Sequence, residues 1–208
     1  MIATEALERG VTALGVSLDE SQIAQLERYL AILDKWNRVY NLTAIRERGR
    51  MVTHHLLDSL AIVPYVRGPR VLDVGSGAGL PGIPLAIAKR DLLVTLIDSN
   101  EKKAAFLQQV IAELHITNAA VRAERVESCS VSVRFDTIVS RAFADLGDFV
   151  SSSRHLLAQG GKFVAMKGVH ANDQVERLPL GFRVRETIDL EVPQLDAERH
   201  LVVVEPVA

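Results

Sequence analysis

Gly75, Gly77 and Gly79 follow directly on the apolar run Val71-Leu72-Asp73-Val74, and Leu80-Pro81-Gly82 completes the turn. Between a short β-branched run and a helical pattern, glycines let the main chain turn sharply and approach a ligand closely, because no Cβ stands in the way. A second apolar run, Leu93-Val94-Thr95-Leu96-Ile97, ends in Asp98, nineteen positions after Gly79. An acid at the end of the second strand of a βαβ unit accepts hydrogen bonds from both ribose hydroxyls of a nucleoside. The pattern predicts an adenosine site.

The spacing narrows the ligand. A dinucleotide loop of the form G-x-G-x-x-G would need glycine at position 80, where the chain has Leu80. The carboxylate of Asp73 is a poor neighbour for a pyrophosphate and suits a ligand with a cationic end, such as the ammonium of S-adenosylmethionine. The residues therefore favour that methyl donor over NAD. No Gly-Lys-Ser/Thr follows the glycines, which excludes a phosphate loop, and no G-x-S-x-G elbow supports a hydrolase.

The elements that must position these groups alternate from Arg70 onward. Strands are expected at Val71–Val74, Leu93–Asp98, Ala119–Ala123, Thr137–Ser140 and Lys162–Met166, with helices near Pro81–Lys89, Glu101–Leu114 and Asp145–Leu157. Gly160-Gly161 is read as the turn before the fifth strand. After a short helix near Asn172–Arg177, Phe182–Leu190 and His200–Val204 are expected to pair as an antiparallel ribbon. The sum is an α/β fold: a mostly parallel, doubly wound sheet with an antiparallel edge strand. Before it, residues 1–66 read as a helical region, with Ile23, Leu26, Leu30 and Leu33 on one apolar stripe and Ser17 or Asp19 as its cap. A further helix is expected over Met51 to Ile62. Residues 67–208 form the sheet-containing domain.

Ligands of such sheets lie beyond the carboxyl ends of the strands. The third strand delivers Glu124-Arg125-Val126-Glu127, where main chain and an apolar side chain can grip an adenine. The fourth delivers Ser140-Arg141-Ala142-Phe143 and the fifth Lys167-Gly168. No Asn-Pro-Pro-Tyr or Asp-Pro-Pro-Tyr occurs, so nothing is built to accept hydrogen bonds from an exocyclic amine. A ring nitrogen such as guanine N7 already carries a lone pair and needs only in-line placement. Arg141 could meet a donor carboxylate or a guanine edge. His54, His55 and Asp58 read as hydrogen-bonding groups on a helix surface rather than metal ligands, since a third ligand is wanting. No metal is expected.

In its 208 residues, 48% are hydrophobic and 24% charged, the balance of a globular protein with a sizeable core. No apolar run reaches the roughly 20 residues of a membrane span and no secretory leader is visible. Cys129 is alone, so no internal disulfide forms, and a cytoplasmic setting is expected. The net charge of −2 is segregated: residues 1–34 carry six acids and two bases, residues 35–50 five bases and one acid. Such segregation can create a local positive face, which Lys162, Lys167, Arg183 and Arg185 could extend, although edge-strand charge is the commoner meaning of such residues.

Five separated blocks give the chain a resemblance over nearly its whole length: Trp36-Asn37-Arg38-Val39-Tyr40-Asn41-Leu42-Thr43, His54-His55-Leu56-Leu57-Asp58-Ser59, Leu72 to Pro84, Ser140-Arg141-Ala142-Phe143 and Met166-Lys167-Gly168. In these it resembles the bacterial 16S rRNA (guanine-527) N7-methyltransferases, the glucose-inhibited division protein B family. The resemblance implies a Rossmann-like class I methyltransferase acting on a guanine of the 530 loop of 16S ribosomal RNA, within the small subunit or its precursor. By position it implies donor binding by Gly75, Leu80, Val126, Glu127 and Arg141, beside Asp73, Gly77, Gly79 and Asp98 from the fold argument. Arg141 is also the expected catalytic contact. The RNA is expected on Arg38, Arg46, Arg48, Arg50 and Lys167. A non-catalytic ribosome-assembly factor with a donor pocket, or a small-molecule methyltransferase, are the other readings the residues allow.

Overall fold

A computed structural model of the chain describes residues 2–141, 143, 145–168 and 178–207. Helices α1 (Ile2–Ala13) and α2 (Glu20–Tyr40) come first. Asp19 caps α2 through a capping box, accepting from the Gln22 amide while the Gln22 side chain accepts from the Asp19 amide. Asn41, at φ 50°, ends the helix in a left-handed conformation. The next helical stretch is composite. A turn of α-helix, α3 (Arg48–Met51), runs into a π-helical segment at Val52–Leu57, then α4 (Asp58–Leu60) and a 3-10 turn at Val63–Tyr65.

The sheet follows as β1 (Arg70–Val74), β2 (Leu93–Ile97), β3 (Ala119–Arg122), β4 (Phe135–Ser140), β5 (Leu157–Lys167), β6 (Phe182–Asp189) and β7 (His200–Pro206). Helices α5 (Gly82–Ala88), α6 (Glu101–Glu113) and α7 (Leu146–Ser153) lie between the first five strands. The spatial order is β3-β2-β1-β4-β5-β7-β6. The first five strands of that order are parallel, and β7 inserts antiparallel between β5 and β6. The order reverses beside β1, so the crevice between the ends of β1 and β4 is the place where this topology binds ligands.

Apolar burial explains the arrangement. On one face a continuous cluster joins Leu26, Leu30 and Leu33 of α2 and Leu56, Leu57 and Leu60 of the composite helix to Leu85, Leu96 and Phe106 of the alternating region. A second cluster, with Leu72, Ile138, Phe149 and Phe163, fills the other face. Polar ties reinforce the first: Gln22 Nε2 donates to the Ile87 and Ala88 carbonyls at 2.8 and 3.1 Å, and Gln25 Nε2 to the Leu114 carbonyl at 2.9 Å.

Three local expectations change. Helix α7 stops at Ser153, and β5 begins at Leu157, before the glycines. Gly160, at φ 73°, lies in an excursion of that strand, where pairing jumps from Phe135–Leu157 to Thr137–Lys162. The expected helix over Met51–Ile62 exists, but with a π-helical middle that hydrophobic spacing does not encode. The short helix expected near Asn172–Arg177 lies outside the described residues.

Candidate functional site

The glycine turn is built from β1 and pinned to β2. The Gly75 and Ser76 amides both donate to the Ile97 carbonyl, at 2.9 and 3.1 Å, and Ser76 Oγ donates back to the Asp73 carbonyl at 2.9 Å. Gly75 and Gly77 take φ 68° and 58°, a left-handed conformation that glycine adopts without strain. Gly79 serves another purpose. A Cβ there would meet Ile83 Cγ1 at 2.6 Å and Leu107 Cδ2 at 2.8 Å, so glycine lets the turn pack on α5 and α6.

Beyond these strand ends lies a cavity of about 240 Å³ lined by Val74, Gly75, Asp98, Glu124, Val126, Glu127 and Phe143, with Ile97, Ser99 and Arg125. The sequence-predicted Gly75, Asp98, Val126 and Glu127 thus meet in one place. Asp98 is nearly buried and already engaged: Oδ2 accepts the Gly77 amide at 2.9 Å and Oδ1 the Asn100 amide at 2.9 Å, with Lys103 Nζ at 3.9 Å from Oδ2. Leu80 is buried in the core and Gly77 and Gly79 sit behind the turn; none of the three lines this cavity.

Asp73 is fully buried beneath the turn. Its Oδ2 accepts the Gly82 amide at 3.0 Å, while Oδ1 has no hydrogen-bond partner among the described residues. Burial pushes its carboxyl up to about 7. A carboxylate in that state is an acceptor in need of a cation.

A second cavity, about 360 Å³, is lined by His54, His55, Asp58, Arg141, Lys167 and Arg199, with Ile45, Met166 and Gly168. The two cavities flank the end of β4, where Arg141 lines one and Phe143 the other, and Lys167 Nζ donates to the Phe143 carbonyl at 2.7 Å. Burial lowers the Lys167 ammonium below its ordinary value. Arg141 belongs to this second cavity: its Nη1 donates to the His54 carbonyl at 3.0 Å and to Asp58 Oδ2 at 3.3 Å.

Here the surface reading of His55 and Asp58 is overturned. They are 3% and 2% exposed, because the helix is enclosed on nearly every side: from Met51 to Ile62 all residues but His54 are buried. His55 Nε2 lies 3.0 Å from Thr43 Oγ1, and burial lowers the imidazole to about 4, so it is neutral. The Thr43 loop is in turn held by buried Asn37, whose Oδ1 accepts the Thr43 amide at 2.8 Å. Arg199 entered no sequence argument; only its placement just before β7 brings it to Asp58, and spacing offers no signal for that. No group of three or more His, Cys, Asp or Glu suited to a metal occurs among the described residues.

The basic stretch divides. Arg48 and Arg50 line a third, open cavity of about 690 Å³ with Thr53, His54, Gln194 and Asp196, and His54 borders both this cavity and the second. Arg46 donates to Asn41 Oδ1 at 3.0 Å, and Arg38 pairs with Asp34 at 2.8 Å on exposed α2. Lys162, Arg183 and Arg185 do not extend this face. Lys162 lies five strand positions before Lys167, roughly 16 Å away along β5. Arg183 and Arg185 pair with Glu205 at 2.7 and 3.5 Å at that same far end of the sheet, as edge-strand charges commonly do.

This geometry has relatives. A family model described as GidB, rRNA small subunit methyltransferase G, matches residues 22–202. The chain is 54% identical over 198 residues to the ribosomal RNA small subunit methyltransferase G of Laribacter hongkongensis, covering 95% of this chain and 96% of that one. It is 55% identical over 205 residues to the protein of the same name from Burkholderia lata, covering 95% and 90%. Among solved structures it is similar to the magnesium protoporphyrin IX methyltransferase of Synechocystis with bound S-adenosylmethionine, at 18% identity and TM-score 0.60 over 91% of this chain and 98% of that one. TrmN of Thermus thermophilus follows at 20% identity and TM-score 0.56, over 72% and 48%. These distant likenesses establish the Rossmann-like class I methyltransferase fold, and the near ones go further: the chain belongs to the rRNA small subunit methyltransferase G family.

Proposed function

We propose that the protein transfers a methyl group from S-adenosylmethionine to N7 of guanine 527, in the 530 loop of 16S ribosomal RNA. The observation that carries this reading is the pair of cavities on either side of the β4 end, one lined by nucleoside-binding groups and the other by Arg141, Arg199 and Lys167. The residues present fit the donor. Asp73 holds a buried, unpartnered acceptor under the glycine turn, which an ammonium would satisfy. Gly75, Val126 and Glu127 would hold the adenosine and Asp98 the ribose. Leu80, Gly77 and Gly79 would act through the shape of the turn.

Bound S-adenosylmethionine supplies an electrophilic methyl on a sulfonium. The protein's part is to bring a nitrogen lone pair in line with it, about 3–3.5 Å away, and to keep water out. Guanine N7 carries that lone pair without deprotonation, so no side chain need act as a base. Arg141 would contact the acceptor from the second cavity and neutral His55 would avoid adding charge beside a purine that becomes cationic. Arg48 and Arg50, and through Asn41 the Arg46 loop, would receive the RNA backbone with Lys167; Arg38 would contribute at longer range. In this reading residues 1–66 form an RNA-facing platform on the donor-binding domain of residues 67–208. The substrate is 16S RNA inside a small subunit or its precursor, in the cytoplasm.

The test is to incubate the protein with radiolabelled S-adenosylmethionine and small subunits from cells lacking the modification, then map the label. Label at N7 of guanine 527 is expected. Donor binding without transfer to any subunit or precursor would favour a non-catalytic assembly factor instead, and label on small molecules alone would overturn the RNA substrate.

A further inference from the structure

Asp58 stands at the start of α4, directly after the π-helical segment, and gathers two arginines that are distant in sequence. Its Oδ1 accepts Arg199 Nε at 2.9 Å and its Oδ2 accepts Arg141 Nη1 at 3.3 Å. Each guanidinium has a second anchor on main chain: Arg141 Nη1 on the His54 carbonyl at 3.0 Å, Arg199 Nη1 on the Glu198 carbonyl at 2.9 Å. Yet Arg141 is 26% and Arg199 23% exposed, against 2% for Asp58. Arg141 Nε and Nη2 and Arg199 Nη2 make no hydrogen bond among the described residues. All three residues line the 360 Å³ cavity, as does His55, whose buried Nδ1 has no partner there either.

As a device for stability this arrangement is weak. A buried carboxylate with its two guanidiniums can often be replaced as a whole by apolar side chains at no loss, and one negative charge leaves the pair with a net positive one. As a device for recognition it is well formed. Guanidinium groups bind guanine most often by donating to O6 and N7 together. Here that mode would occupy the very lone pair that must accept the methyl group. Anchoring each guanidinium at two points keeps it from swinging onto N7 while leaving outer N–H groups for O6 or phosphate oxygens.

We propose that Arg199 is a substrate-binding residue and Asp58 a positioning residue: Asp58 orients Arg199 and Arg141 together, so that both meet the oxygens of the acceptor nucleotide while N7 stays open. The proposal rests on the methyl-transfer reading above.

Steady-state methylation of unmodified small subunits by the full chain tests it, with S-adenosylhomocysteine titration and thermal denaturation run on the same preparations. Arg199→Lys keeps the charge and loses the planar fork. It is expected to lower kcat/KM by about tenfold to a hundredfold, chiefly through the KM for the subunit, with donor-site affinity held within about twofold. Asp58→Asn is expected to do the same, and the double variant to be little worse than either single one, because both act through one arrangement. If Asp58→Asn does not fold, Arg199→Lys, on a partly exposed side chain, carries the test. Wild-type kinetics in Arg199→Lys, or a loss that follows donor affinity or folded fraction, overturns the inference and leaves the parent reading standing. A wild-type chain that methylates no subunit overturns both.

Discussion

Tyr29 of α2, fully buried, donates its hydroxyl to the carbonyl of Ala78 at 2.6 Å, in the middle of the glycine turn. The helical region thus holds the turn from behind, and burial pushes the Tyr29 phenol far above its ordinary range, so it stays a donor. Tyr29→Phe leaves that carbonyl without its buried partner. We expect a loss of about 1–2 kcal/mol in stability and a several-fold loss of S-adenosylhomocysteine affinity. Denaturation and calorimetric titration measure the two, and unchanged affinity would separate the turn from its support.

Gly75 and Gly79 are expected to fail differently. Gly79→Ala places a Cβ against Ile83 and Leu107 at a φ of 87°, a cost of roughly 2–4 kcal/mol. Gly75→Val, strained at a φ of 68°, also costs stability, but it fills the wall of the proposed nucleoside cavity and should abolish donor binding in the molecules that remain folded. Equal losses of affinity per folded molecule in both variants would contradict this division.

As the proposed partner of the donor's ammonium, Asp73 is expected to make donor binding depend on pH. Its folded value, about 7, lies above the ordinary 3.8, so between them the folded chain binds more protons than the unfolded one. Stability of the ligand-free protein is therefore expected to fall as pH rises from about 4 to about 7, by up to about 1.4 kcal/mol per unit, and to level off above. An ammonium on Oδ1 needs the ionised form, so S-adenosylhomocysteine affinity should climb between pH 6 and pH 8. Asp73→Asn should bind about tenfold more weakly with a flat profile over that interval. Parallel profiles for the two proteins would remove Asp73 from the donor site.

The basic stretch can be sorted by salt. Replacing Arg48 or Arg50 by Ala should lower the slope of log K against log salt for subunit binding by about 0.7–0.9 each, one phosphate contact apiece. Arg38→Ala, whose charge already faces Asp34, should leave the slope nearly unchanged. A larger change for Arg38 than for Arg50 would move the RNA to the other side of α2.

The proposed donor half of the site is legible in the sequence because a βαβ unit is local. Val71–Val74, the glycines and Asp98 are bound by spacing, so strand ends and turn could be read residue by residue. The acceptor half is not. Asp58, Arg141 and Arg199 meet only after the composite helix, β4 and β7 have been assembled, and no short-range pattern records such a meeting. Charge alone does not say which end of a strand a residue occupies: Lys162 sits at the opposite end of β5 from Lys167, and β6, antiparallel to β7 as β5 is, starts beside it with Arg183 and Arg185. His55 reads as surface when the helix is taken as regular and one-sided, whereas the assembled protein encloses it on nearly every side.

That assumption has a further cost for anyone editing the chain. A π-helical turn holds one residue more than an α-helical turn, and each residue of a helix is worth about 100° of rotation. Deleting a single residue within Val52–Leu57 would let the helix become regular and locally more favourable. The flanking turns would stay nearly in phase, because the residue removed is the extra one that the π-helical turn holds, so Met51 and Asp58 would keep their faces and only the side chains between them would be redistributed. An insertion has no such outlet: one more residue would rotate one flank against the other by about 100°, unhooking Asp58 from Arg141 or Met51 from the core, so this helix accepts a residue lost far better than a residue gained.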